Sequence, residues 1–213
     1  MTTLDPFPSA IDFNHLFTAI TNIKPGKHHS IIISFSRNLE LSGLRPNMHS
    51  LGILTNCYCN LGRVDFAFSL LGKRLKCGYE PDIVIFTTLI NGLSDGNYVD
   101  QAVKLLDKIV NLGFQPNIVT YGTIVKGLCR SGNNVGAINL LRKMQSDGIC
   151  KPDVVIYTMI IDSLCKENLL IQAVKLLDEM QNEGMSPNAV TYSAVIRGCC
   201  DWGSGNDLDN YRS

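Results

Sequence analysis

A chain of 213 residues with 45% hydrophobic and 18% charged side chains has enough apolar material for a sizeable core, and too much for a wholly disordered tail. Nineteen basic and nineteen acidic residues cancel to a net charge of zero, which counts against a strongly electrostatic nucleic-acid binder. No run approaches the roughly 18 apolar residues of a membrane span, and the eight cysteines follow no signal peptide, so a secreted disulfide scaffold is not expected either.

Residues 1–9 read as a leader: they lack arginine and carry Asp5, a poor match to a transit peptide. Patterned sequence follows in a first unit at 10–47, made irregular by Pro25-Gly26-Lys27, which reads as a three-residue insertion between two helices. His28 and His29, beside Lys24 and Lys27, read as solvated surface in preference to metal ligands.

From there the chain repeats. Proline precedes Asn or Asp at Pro46-Asn47, Pro81-Asp82, Pro116-Asn117, Pro152-Asp153 and Pro187-Asn188, with successive prolines 35, 35, 36 and 35 residues apart. Gly43, Gly78, Gly113, Gly148 and Gly184 keep nearly the same beat. Phe86, Tyr121, Tyr157 and Tyr192 follow, with Leu51 in the corresponding place, and Ala67, Ala102, Ala137 and Ala173 recur further on. A fixed period of this length is the mark of a repeat architecture.

Within a unit the periodicity is helical. Tyr157, Ile160, Ile161 and Leu164 form one apolar stripe at i, i+3, i+4, i+7 spacing. A break at Glu167-Asn168 separates them from a second stripe of Leu170, Ala173, Val174, Leu177 and Met180, which the segment Gly184-Met185-Ser186-Pro187 ends. Each unit is therefore expected to be two antiparallel helices, and because one hairpin cannot bury both stripes alone, neighbours must stack. The units run 48–82, 83–117, 118–153 and 154–188; the last stretch, 189–213, starts with a proper first helix and lacks a second stripe. The fold class expected is all-α, a right-handed superhelical solenoid of helix–turn–helix repeats.

Cys59, Cys129, Cys165 and Cys200 share one place in the repeat and form no C-x-x-C pair, so they read as small core residues, with no metal or cofactor expected. All four histidines lie at or before His49, which leaves no H-x-E partner for a zinc deaminase site. Catalysis within this chain is not expected.

Segments such as Asn117-Ile-Val-Thr-Tyr-Gly-Thr-Ile-Val-Lys-Gly-Leu-Cys-Arg-Ser-Gly and Asp153-Val-Val-Ile-Tyr-Thr-Met-Ile-Ile-Asp-Ser-Leu-Cys-Lys resemble the pentatricopeptide repeat consensus over roughly residues 10 to 200. The chain is most similar to the plant subgroup of pure 35-residue repeats that includes fertility-restorer-like proteins. The resemblance implies binding to single-stranded RNA, one base per repeat, with no DNA or membrane partner, in the mitochondrion or alternatively the chloroplast. It implies base selection by the fifth and last residues of each unit: Asn14 with Asn47, Gly52 with Asp82, Thr87 with Asn117, Gly122 with Asp153, Thr158 with Asn188, and Ser193 alone. It further implies base packing by Ile11, His49, Val84, Val119, Val155 and Val190, and phosphate contacts by Arg130 and Lys166. The site expected on this basis is a pyrimidine, any base, A, G, A. An Asx after proline also has a bland reading as a helix cap. A protein-binding helical scaffold, or a truncated fragment without function, are the alternatives at this level.

Overall fold

The computed structural model describes residues 15–20, 28–43 and 46–209, with side chains to residue 201. Ile11, Asn14 and the insertion at 25–27 therefore lie outside the described residues, as do the whole leader and the first repeat's opening.

The chain is all-α, and the described residues include no strand. It divides into two compact units, 1–98 and 99–213. The first holds helical residues 15–20 (α1), α2 His29–Leu41, α3 Met48–Asn60, α4 Val64–Lys76 and α5 Ile83–Asp95. Here α3 packs on α2, on its hairpin partner α4 and alongside α5. Phe17, Ile32, Leu54 and Cys57 form a buried cluster under Ile20, Ile33, Leu39, Ile53 and Leu70.

The second unit holds α6 Val99–Asn111, α7 Ile118–Arg130, α8 Asn134–Asp147, α9 Val154–Lys166, α10 Leu170–Asn182 and α11 Ala189–Asp209. Helix α9 lies between α7 and α11, with α8 and α10 also against it. Tyr157, Ile160, Ile161 and Leu164 on α9 are wholly buried, as the i, i+3, i+4, i+7 spacing requires. The partner stripe differs from the sequence reading: Ala173, Leu176 and Met180 are buried, whereas Val174 is exposed. A contact face at 173, 176 and 180 follows i, i+3, i+7, and this rotates Val174 off the seam.

The helix ends are chemically fixed. Extended Asx residues cap the first helices, and left-handed glycines such as Gly78 (φ 78°) and Gly113 (φ 87°) close the second ones. The turn inside each hairpin also needs a left-handed residue, supplied by Gly62, Asn97, Gly132 and Asn168 in successive repeats. Asn tolerates that conformation better than other side chains, because its short amide bonds locally. Helix α11 has no such break and continues to Asp209.

Small residues set the spacing between neighbouring first helices. A Cβ on Gly92 would lie 2.5 Å from Cys59 Sγ, and one on Gly198 would lie 2.8 Å from Cys165 Cβ. Ser163 takes the glycine's place against Cys129, donating its hydroxyl to the Cys129 carbonyl at 3.2 Å. The repeating cysteines thus seat opposite a small residue one repeat on. Cys59 and Cys165 are buried and Cys129 is half-buried; Cys200, read from sequence as a core residue, is exposed, since no described hairpin follows α11. Ion pairs bind the second helices: Lys143 Nζ to Asp107 at 2.5 Å, and Arg142 to Glu179, whose carboxylate also accepts from Tyr157 Oη at 3.0 Å. The Arg142 guanidinium holds the Glu179 carboxyl below its usual range.

Candidate nucleic-acid interface

The Asx residues after proline share one geometry. At Asn47, Asp82, Asn117 and Asp153 an extended backbone turns the side chain back over the helix that follows, and in all five Oδ1 accepts a free backbone N–H. Asn47 takes the Ser50 N–H at 2.9 Å, Asp82 that of Ile85 at 2.8 Å, Asn117 that of Thr120 at 3.1 Å and Asp153 that of Ile156 at 2.9 Å. Asn188 takes two, from Val190 and Thr191, both at 3.0 Å. The capping reading of these residues therefore holds. It also fixes which atom is left over. A backbone N–H needs an acceptor, so Oδ1 faces the helix; the remaining atom is an Nδ2 donor in Asn117 and Asn188 but an Oδ2 acceptor in Asp153.

The fifth residues are arranged by similar local chemistry. Thr87 donates its hydroxyl to the Ile83 carbonyl at 2.8 Å, Thr158 to Val154 at 2.7 Å and Ser193 to Ala189 at 2.6 Å. With the hydrogen directed into the helix, each oxygen is an acceptor toward anything else. Thr87 is half-buried and Ser193 exposed, but Thr158 is only 8% exposed and its oxygen lies 2.7 Å from that of Thr191. Gly52 and Gly122 leave room: a Cβ on Gly52 would meet nothing within 4 Å, and on Gly122 only Met159 at 3.9 Å.

One turn earlier on each first helix stands an apolar side chain that does not pack. Val84, Val119, Val155 and Val190 are 68%, 61%, 58% and 64% exposed, and His49 is exposed in the corresponding place. Single exposed valines are ordinary. The same residue left bare at one place in four successive first helices is a built feature.

Within the first unit these groups come together. His49, Gly52, Asp82 and Val84 line one cavity of about 470 Å³, together with Arg74, a residue that the sequence reading passed over. The signal for it was a lone charge at a place where later repeats carry Ile109, Met144 and Met180. In the second unit, Arg130 and Lys166 line a groove of about 480 Å³ with Lys126, which was also missed, although it stands one helical turn before Arg130. Asp162 lines the same groove, accepting from Lys166 Nζ at 2.5 Å with Arg197 3.7 Å away.

His29 corrects the sequence reading. It is buried, not solvated, with Nε2 3.2 Å from Asn60 Nδ2, because α2 starts at His29 and turns that ring against the neighbouring first helix. Among the described residues no group of three or more His, Cys, Asp or Glu is placed to hold a metal, and no helix is long and apolar enough to cross a membrane.

Comparison with known proteins follows the same lines. The PPR repeat family profile matches residues 81–130 and 152–201, and the PPR repeat profile matches 49–78 and 119–149. Similar curated proteins include two mitochondrial pentatricopeptide repeat-containing proteins of Arabidopsis thaliana. One is 43% identical over 88 residues, covering 41% of this chain and 14% of the relative; the other is 38% identical over 76 residues, covering 36% and 12%. The matched region is thus a small fraction of those relatives' length. Among solved structures, the pentatricopeptide repeat protein PPR10 from maize aligns over 97% of this chain and 34% of its own, with a TM-score of 0.65 at 22% identity. The same protein with an 18-nt psaJ RNA element aligns with a TM-score of 0.59 at 22% identity, covering 97% of this chain and 35% of its own. Nuclear proteinaceous RNase P 2 from A. thaliana aligns with a TM-score of 0.70 at 12% identity, over 90% and 42%.

Proposed function

Because the chain belongs to the pentatricopeptide repeat family, we propose that it binds single-stranded RNA, one base per repeat, on the exposed edge of its first helices. The observation that carries this reading is the recurring triple of a bare valine, a fifth residue and a capped Asx on successive units. Valines left in water at a fixed period offer apolar faces to flat bases, and base–apolar stacking needs no net charge.

The capping geometry supplies the selectivity. A Thr oxygen that can only accept, beside an Asn Nδ2 that can only donate, complements adenine, which offers an amino donor next to the N1 lone pair. Thr158 with Asn188 is therefore an adenine-reading pair, and by family resemblance Thr87 with Asn117 is another. An Asp in the last place turns an acceptor outward and favours guanine, which carries N1–H there; Gly122 with Asp153 is that case. Arg130 and Lys166 are the phosphate-contacting residues, with Lys126 added. The protein acts without catalysis of its own, on mitochondrial transcripts, in keeping with its plant relatives and a pure-repeat, fertility-restorer-like character. The units at 48–82, 83–117, 118–153 and 154–188 each take one base.

A filter-binding assay with pooled short RNA, the matching DNA pool and duplex RNA tests the proposal. Retention of single-stranded RNA over both competitors is expected. Equal retention of DNA, or none of any pool, contradicts it and favours a protein-binding scaffold.

A further inference from the structure

Arg74 breaks a pattern that the rest of the chain keeps. One, two and three repeats on, its place in the second helix is held by Ile109, Met144 and Met180, each buried and apolar. Arg74 is buried to the same degree, at 3% exposure. Taking a guanidinium out of water costs several kcal/mol, and an apolar side chain at such a place is often as stable or more so. The other repeats show that an apolar residue fits there, so packing does not account for the charge.

Its partners give the reason. Arg74 Nε and Nη2 donate to the Glu80 carbonyl at 3.2 and 3.0 Å, and Nη2 also reaches Asp82 Oδ2 at 3.0 Å. Asp82 is the last residue of its unit, with Oδ1 capping α5. The guanidinium therefore grips the oxygen that the cap leaves over. Both groups line the cavity that His49 and Val84 flank, and Gly52 leaves open space there for a large base.

Resting on the RNA reading above, we propose that Arg74 is a third base-reading residue of the repeat at 48–82, and that it makes this repeat select guanine. Each carboxylate oxygen keeps a second lone pair, so the Arg74–Asp82 pair presents an acceptor beside a donor. Guanine answers with its N1–H to Asp82 and its O6 to the guanidinium. Adenine sets a bare N1 lone pair against the carboxylate and an amino group against the guanidinium. Asp82 alone offers guanine one contact, as Asp153 does at the fourth letter; Arg74 adds a second, so the second letter becomes the more strictly read of the two.

Competition between RNA oligonucleotides that differ only at the second letter tests this with the whole chain. The wild type is expected to prefer G over A by about tenfold, within the range of single base-edge contacts. Arg74→Met, which installs the residue found at Met144 and Met180, is expected to bring that preference to about twofold or less while leaving the A preference at letters three and five unchanged. If Arg74→Met does not fold, Arg74→Lys carries the test. It keeps the charge without the planar fork and is expected to lose at least about half of the discrimination. No G preference in the wild type, or a preference that survives in the folded variant, overturns the role of Arg74. Loss of A preference at letters three and five in the wild type would instead count against the RNA reading itself.

Discussion

The hydroxyl oxygens of Thr158 and Thr191 lie 2.7 Å apart, and Thr191 Oγ1 lies 3.1 Å from Asn188 Oδ1, so the fifth and last residues of one repeat are joined through the third residue of the next. Thr191 Oγ1 also accepts the Asn188 N–H at 3.3 Å. Thr191→Val keeps the shape and removes this link. It should cost about 1 kcal/mol of stability in chemical denaturation, the usual size of a cap or a buried hydrogen bond. In RNA competition it should weaken A selection at the fifth letter and leave the third letter unchanged.

Close packing between first helices predicts a second outcome. Gly92→Ala puts a methyl 2.5 Å from Cys59 Sγ, and both lie on helices whose backbones would have to part. Overpacking of this kind costs roughly 1–3 kcal/mol. Gly52→Ala, in open space on α3, should stay within about 1 kcal/mol of the wild type, as a Gly-to-Ala change inside a helix does. Denaturation of the two variants side by side checks the contrast.

Thiol chemistry offers a test that needs no mutation. Burial pushes the Cys57, Cys59 and Cys129 thiols up to about 11 from an ordinary 9.0. Native protein at pH 8 should therefore react with a thiol reagent first at the exposed Cys77, Cys199 and Cys200. The sign for stability follows from the raised values. Unfolded thiols lose their protons from pH 9 upward while the folded ones keep them, so this contribution is complete below pH 9 and declines toward pH 11. Denaturation midpoints across that window should fall.

Salt dependence should be shallow, because Asp162 already occupies Lys166 and lies near Arg197. With about two to four phosphates met, the log–log slope for a single strand is expected near −1.5 to −3. Asp162→Asn releases Lys166 and should steepen the slope by about 0.7 for each phosphate newly met. An unchanged slope in this variant would place Lys166 away from the RNA backbone.

The helical hairpins were legible because their punctuation is chemical: proline then Asx starts a first helix, and a left-handed glycine closes a second. Side-chain faces were less so. Val174 and Leu176 are both apolar, and only the packing of α10 on α9 decides which one is buried. Thr158 reads as an open fifth residue, yet the residue that covers it, Thr191, stands 33 positions on and looks like any other threonine in sequence. Arg74 was visible as an exception at a core place, but its meaning depends on Asp82, which only the turn after α4 brings within 3.0 Å. The selecting role of the Asx residues is implied by family resemblance alone; the caps leave one side-chain atom of each Asx for it.

The proposed selecting role can be measured directly. Asn117→Asp and Asn188→Asp keep the caps, as Asp82 and Asp153 show, and exchange an outward donor for an outward acceptor. The double variant should fold like the wild type and change its preference from A to G at the third and fifth letters by about 1–3 kcal/mol each. Competition binding with A- and G-substituted RNA oligonucleotides reads this out. A folded double variant that still prefers A, or a wild type with no preference at either letter, contradicts base reading by these residues.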